Sequence, residues 1–346
     1  NVPSYGGKLE TMDRRQEQAL IGEAPVFLEI LERVSKVAQL NRPVLVIGER
    51  GTGKELIAAR IHYLSPRWDR PFVKLNCAAL AESLLETELF GHEAGSFTGA
   101  TRRRLGRFEL ANEGSLFLDE LATTSERVQE KVLRVIEYGE LERVGGNDTI
   151  NTDVRIIGAT NEDLPALANE GKFRADLLDR LAFDVITLPP LRERREDILP
   201  LAEHFAVKMA GELGLELFSG FSDSARRELM DYHWPGNVRE LKNVVERAVY
   251  SSMGQEEAIT TITFDPFKSP WRPGSEDLTS EEVTTKNLPG SAYDFKEHIQ
   301  QYEIELLQSA LEQCRFNQKK TAEFLSMTYH QLRGYLRKYE LNDQEE

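Results

Sequence analysis

The chain of 346 residues has no apolar run approaching the length of a bilayer span and no secretory pattern at its start. Direct membrane insertion and export are therefore not expected, and a cytoplasmic location is. Cysteine is nearly absent: Cys77 and Cys314 lie far apart, with neither metal-ligand nor pairing spacing. Structural thiols in a reducing compartment are the expectation. Positive charge is in deficit, with 43 Lys and Arg against 58 Asp and Glu and a formal net charge of −15. That excludes a surface coated all over in nucleic acid and confines any DNA contact to a local patch. The chain also begins without methionine. Residues 1–21 are read as a lead without a folded regulatory domain, and no function is expected of residues 1–11.

What is present reads as several domains. Residues 22–190 alternate short apolar runs with helical patterns, as βαβ units do. "PVLVIG" (43–48), "PFVKLNC" (71–77), "SLFLDE" (115–120), "VRIIGATN" (154–161) and "FDVITLPP" (183–190) read as buried parallel strands. Residues 192 to about 252 read as helices within a segment bounded at 191–264, and residues 265–292, rich in Pro, Gly, Ser, Thr and acid, read as a linker. Residues 293–346 return to helical periodicity.

"VLVIGERGTGKE" is a strand, a glycine loop and a helix start, with Gly48, Glu49, Arg50, Gly51, Thr52, Gly53 and Lys54 in the spacing G-x-x-x-x-G-K. Such a loop turns backbone N–H groups onto phosphate oxygens, the helix adds its positive end, and Lys54 supplies a point charge. ATP is the expected ligand. Glu55 stands where Ser or Thr usually holds magnesium, so Mg2+ must rely on Asp119, water and the phosphates. In "GSLFLDE" a hydrophobic strand ends in Asp119, the expected metal ligand, and Glu120, which can orient and polarise the attacking water.

Taken with "LNCAAL", "ELFGHEAGSFTGA", "FRADLLDRL", "LPPLRERREDI" and "WPGNVREL", these motifs resemble the AAA+ domain of bacterial enhancer-binding proteins, the activators of sigma-54 RNA polymerase. The resemblance covers residues 22 to about 252. It implies an α/β AAA+ P-loop ATPase, a parallel sheet with helices plus a helical lid, working as a hexameric ring. It gives Gly95, Ser96, Phe97, Thr98, Gly99 and Ala100 the role of a loop that grips sigma-54. The family usually has Ala where Ser96 stands. Around "ELERVGG" (140–146) it implies a second loop supporting the first, with Arg143 as the candidate.

The same resemblance implies that Asn76 pairs with Glu120, and that Thr160 and Asn161 sense the γ-phosphate. It makes Arg174 and Arg180 arginine fingers reaching a neighbouring subunit, and Arg239 a second sensor on the lid. Within the family, this chain is most similar to a branch that lacks an attached regulatory domain. There an inhibitory envelope-stress regulator protein binds the AAA+ domain, and Trp68 matches the surface tryptophan of that contact.

Residues 294–314 form an amphipathic helical pattern, and "NQKKTAEFLSMTYHQLRGYLRKY" reads as helix, tight turn, helix. Ala322, Phe324 and Leu325 are expected to face inward, and Thr328 to cap the second helix. Between Arg315 and Lys338 six basic residues stand against Glu323 alone. Lys319, Lys320, Thr328, Tyr329, His330, Gln331, Arg333, Arg337 and Lys338 are the candidate DNA contacts. The segment resembles the Fis-type helix-turn-helix, so enhancer DNA is the expected partner. Ser326 replaces the usual turn glycine, at a cost of roughly 1 kcal/mol for a left-handed position. Two other readings stand beside this one: a DNA-bound regulator that uses ATP only to assemble, and an AAA+ remodeller of another client.

Overall fold

The computed structural model describes residues 20–97, 100–215, 217–253, 257–267, 300, 303–304, 306–311, 314 and 317–339. The chain divides into two units, Asn1–Pro266 and Phe267–Glu346. Nearly all of the lead and of the linker falls outside the described residues, as does part of the helical pattern of 294–314.

In the first unit, β1 (Val44–Ile47), β2 (Phe72–Asn76), β3 (Ser115–Asp119), β6 (Arg155–Thr160) and β7 (Val185–Thr187) form a parallel sheet in the order β2-β3-β6-β1-β7. They are the five runs read as buried parallel strands, but only β1, β3 and β6 are largely buried; the edge strands β2 and β7 are partly exposed, at Lys74, Asn76 and Thr187. Successive strand residues face opposite ways. Leu45, Leu116, Leu118 and Ile156 therefore pack with α3 (Glu82–Phe90), α5 (Glu126–Tyr138) and α7 (Ala175–Leu181) on one face. Val44, Val46, Phe117 and Ile157 pack with α1 (Pro25–Ala38) and α2 (Lys54–Tyr63) on the other. Burial of each such large side chain contributes about 1.5–3 kcal/mol. Arg155, 3% exposed, opens β6 and donates to the carbonyls of Val37, Ala38 and Arg42. It thereby satisfies the end of α1, whose last carbonyls lack helical partners.

A short helix α4 (Arg107–Leu110) follows a hairpin-like excursion from α3, closed at its base by the His92–Arg104 bridge. Beside it, β4 (Glu140–Glu142) and β5 (Thr149–Asn151) pair antiparallel. The second "loop" expected at 140–146 therefore begins as a strand. Its three residues are too few for alternation to register in the sequence. After α6 (Leu164–Asn169), three longer helices form the lid: α8 (Ile198–Glu212), α9 (Asp223–Asp231) and α10 (Asn237–Ser251). Leu241, Val244, Val245 and Ala248 of α10 meet Leu201, Ala202 and Ala206 of α8 around the fully buried Trp234.

In the second unit, helices Gln318–Phe324 and Tyr329–Lys338 pack through Ala322, Leu332 and Leu336 on Leu307 and Leu311. Phe324 is not part of that core. It is 60% exposed, because the helix ends at this residue and turns it outward.

Candidate functional site

Four strand ends meet at one edge of the sheet, where open parallel sheets place their ligands. β1 runs into Gly48, β2 ends at Asn76, β3 at Asp119 and β6 at Thr160. Register aligns them: Ile47 pairs with Thr160 and Asn76 with Asp119.

The loop after β1 turns at Gly51 (φ 80°) and Gly53 (φ 102°) into α2. A Cβ at Gly51 would lie 2.3 Å from the carbonyl oxygen of Gly236 in the lid, so only glycine fits there. Lys54 is 8% exposed, and its Nζ donates to the carbonyls of Gly48 (2.8 Å) and Glu49 (3.2 Å). Burial lowers its pKa, partly opposed by the charges of Glu120 and Asp119. Glu55 points elsewhere: its carboxylate pairs with Lys74 at 2.8 Å.

Asp119 Oδ1 accepts the N–H of Glu120 (3.1 Å), and its Oδ2 accepts Asn76 Nδ2 (3.3 Å). Asn76 was expected to pair with Glu120. The structure pairs it with Asp119, its register partner, because Glu120 leaves the strand in a left-handed conformation (φ 52°). Asn76 Oδ1 accepts the N–H of Ala78, which ties the site to the turn leading into α3. Cys77 beside it is a buried structural thiol. Burial, with the charges of Asp119 and Glu120, pushes its pKa up to about 12.

Thr160 is fully buried and its hydroxyl accepts the N–H of Glu162 (3.0 Å). Asn161 Oδ1 is buried with no hydrogen-bond partner among the described residues. Arg239 is exposed on α10, and its Cβ would lie 3.0 Å from a side chain at Gly51. Lid and phosphate loop are joined further by residues that the sequence did not single out. Arg192 forks onto Glu49 (2.6 and 3.0 Å), Asn237 donates to Glu49 and to the Arg50 carbonyl, and Arg194 donates to the Thr52 carbonyl. Arg192 and Asn237 hold the Glu49 carboxyl at about 2, well below its ordinary 4.5. Glycine-flanked loops and a lysine fit a triphosphate, and the hard oxygens of Asp119 fit Mg2+.

Arg174 pairs with Asp176 (2.7 Å) and Glu126 (3.9 Å), and Arg180 with Glu137 (2.8 Å). None of these carboxylates belongs to the phosphate loop or to the Asp119–Glu120 pair.

The excursion after α3 carries Gly95, Ser96 and Phe97. Thr98 and Gly99 lie outside the described residues. Gly95 N–H donates to the Ala100 carbonyl at 2.7 Å, closing the tip. Phe97 is 45% exposed, with one edge against His92. Ser96 packs on Gly145, and its hydroxyl is buried without a hydrogen-bond partner among the described residues. Arg143, the candidate of the second loop, has an enclosed side chain, 10% exposed, forked onto Glu109 (2.9 and 2.5 Å) and joined to Glu93 (2.7 Å). It braces the loop rather than presenting a surface. Trp68 is 62% exposed.

In the second unit, Thr328 and Gln331 cap the helix Tyr329–Lys338 reciprocally, and Ser326 takes φ 54° in the turn. Lys319, Lys320, His330, Gln331, Arg333 and Arg337 are exposed. Tyr329 donates its hydroxyl to Gln318, and Lys338 is engaged by Tyr339 and Glu303.

Comparison with known proteins agrees with this geometry. A family model for the sigma-54 interaction domain matches residues 20–187, one for the AAA+ ATPase lid domain matches 192–275, and one for bacterial regulatory proteins of the Fis family matches 299–339. The Psp operon transcriptional activator of Escherichia coli (strain K12) is 59% identical over 322 residues, covering 93% of this chain and 98% of that protein. The Nif-specific regulatory protein of Azotobacter vinelandii is 46% identical, and the chain spans 58% of its length. Structures of NtrX from Brucella abortus, in complex with ADP and with ATP, superimpose with TM-scores of 0.70 and 0.68 at 31% and 32% identity. These superpositions cover 95% of this chain and 71% of theirs. The chain belongs to the sigma-54-interacting AAA+ transcription activators, with a Fis-type helix-turn-helix at its C-terminal end.

Proposed function

We propose that this protein binds enhancer DNA through its C-terminal unit and, as a ring of six subunits, hydrolyses ATP to convert a closed sigma-54 RNA polymerase promoter complex into an open one. Its similarity to the Psp operon activator supports the phage shock operon, an envelope-stress response, as the target. Residues 22–190 would carry hydrolysis, 191–264 the lid, and 293–346 the DNA reader.

The chain's own groups would divide the work. The loop from Gly48 to Lys54 grips the triphosphate, and Arg239 reaches it from the lid. Glu120 orients and polarises the attacking water. Asp119 would hold Mg2+, which would supply positive charge to offset that of the phosphates. Asn161, whose buried oxygen has no partner among the described residues, and Thr160 border the same edge and would respond to the γ-phosphate. Arg174 and Arg180 would leave their exposed ion pairs, each worth at most about 1 kcal/mol, to act in a neighbour's site. Asn76, bonded at once to Asp119 and to the turn before α3, would pass the change toward the loop. Exposed Trp68 would receive an inhibitory regulator protein.

The observation that carries this proposal is the exposed Phe97 on a loop braced from below by Arg143 and Gly145. An apolar side chain at such a tip suits a partner surface rather than a core. Phe97→Ala should leave ATP hydrolysis intact and abolish open-complex formation at a sigma-54 promoter with purified components. Unimpaired transcription from this variant would refute the assignment.

A further inference from the structure

The lid does more than cover the nucleotide edge, because two of its side chains hold carbonyl oxygens of the phosphate loop. Asn237 Nδ2 donates to the carbonyl of Arg50 at 3.0 Å, and Arg194 Nη2 to that of Thr52 at 3.1 Å. The chain has no cis peptides among the described residues, and in a trans peptide C=O and N–H point opposite ways. Drawing these two carbonyls toward the lid turns the N–H groups of Gly51 and Gly53 away from it. Neither amide has a backbone acceptor among the described residues, so both are free to donate.

Both anchors are built in. Asn237 is fully buried with φ 53°, and its Oδ1 accepts the N–H of Leu191 at 2.8 Å. Arg194 is 2% exposed, lies over the ring of Phe27 at 4.6 Å and faces Asp197 at 4.0 Å. Asp197, itself fully buried, accepts the N–H groups of Glu23 and Ala24. A buried cation shared between Asp197 and a neutral carbonyl, and a buried amide held in a left-handed backbone, both cost folding free energy, and such costs cluster at functional sites.

We propose that Asn237 and Arg194 are positioning residues for ATP hydrolysis: by fixing two peptide planes of the phosphate loop they aim the Gly51 and Gly53 amides at the triphosphate, so that the grip on phosphate depends on a docked lid. This rests on the ATPase reading of the same site. It gives lid movement a direct route to nucleotide release, because a lid that swings out frees both carbonyls and lets the loop relax.

The test compares steady-state ATPase kinetics and ADP affinity in wild type, Asn237→Gly, Arg194→Lys and Arg195→Ala, with a melting curve for each. Glycine keeps the left-handed backbone, and lysine keeps the buried charge. Loss of ground-state and transition-state binding alike raises KM while kcat changes little. Asn237→Gly and Arg194→Lys should each raise KM for ATP and Kd for ADP about tenfold, the size of one hydrogen bond. Arg195→Ala, which removes contacts made only within the lid, to the Met230 carbonyl and Asp231, should shift neither by more than about twofold. A lowered melting temperature with unchanged KM, or an equal KM rise in Arg195→Ala, overturns the proposal. If neither glycine nor lysine variant folds, hydrogen exchange of the wild-type Leu191 amide decides. ADP should slow it, and indifference to ADP overturns the proposal. Absence of turnover in wild type would instead refute the ATPase reading itself.

Discussion

Asn76 donates its side-chain amide to Asp119 across 3.3 Å, from matched positions of two neighbouring parallel strands. The asparagine oxygen simultaneously accepts the amide of Ala78. One small side chain thus touches both the acidic end of β3 and the turn that precedes α3.

On the proposed mechanism, turnover should depend on the acidic pair and the lysine. Lys54→Ala, Asp119→Ala and Glu120→Gln should each lower phosphate release by at least about a hundredfold, the usual contribution of a positioned acid–base or electrostatic group. Glu120→Gln keeps the shape of the site and should still bind ATP. Phosphate release at the wild-type rate in any of the three contradicts the assignment.

Arg143 braces rather than contacts. Arg143→Ala leaves Glu109, whose side chain is 11% exposed, without its cation, a loss on the order of 3 kcal/mol for so enclosed a pair. Arg143→Lys cannot fork onto Glu109 and should recover only part of it. Thermal unfolding measures the loss. A variant as stable as wild type would show that the fork carries no weight.

The hydroxyl of Ser96 is buried without a hydrogen-bond partner among the described residues. Burying such a group costs about 1–3 kcal/mol relative to a satisfied one. Ser96→Ala should therefore melt at the same temperature as wild type or higher, with the loop still competent for activation. A clear fall in melting temperature would reveal a partner for the hydroxyl.

Arg174 and Arg180 should act between subunits. Arg174→Ala removes exposed ion pairs and should change stability by less than about 1 kcal/mol, yet fingers can contribute on the order of 10³–10⁵ in rate. Mixing inactive Arg174→Ala with inactive Lys54→Ala should restore part of the ATPase activity, since one subunit brings an intact site and the other an intact finger. Mixtures that stay inactive at every ratio would place the arginine in its own subunit's site.

The Glu49 carboxyl, lowered to about 2 by Arg192 and then Asn237, favours the folded state only while ionised. Its folded pKa lies below its unfolded value, so its contribution is complete above about 4.5 and fades as pH falls toward 2. Glu49→Gln should be less stable than wild type near neutrality, and the difference should narrow across that window. A difference independent of pH would mean that the charge is not what matters.

Much of the α/β unit was legible in the residues. A continuous apolar strand has no choice but burial on both faces, and a glycine loop between such a strand and a helix has one common use. Thr328 was legible as a cap, whereas Gln331, read only as a DNA contact, returns the bond in the structure. Phe324 misled, because a helical pattern does not say where the helix stops and its last residue turns outward.

Partnership, by contrast, was decided in three dimensions. Local sequence determined the strands, the phosphate loop, the acidic pair and the helix-turn-helix, since each depends on neighbours a few positions away. Only the tertiary structure decided that Asn76 meets Asp119, that Arg143 is walled in by Glu93 and Glu109, and that Asn237 reaches Arg50. Those contacts join residues 34 to 187 positions apart, and at such separations sheet register and lid docking choose the partner, not propensity.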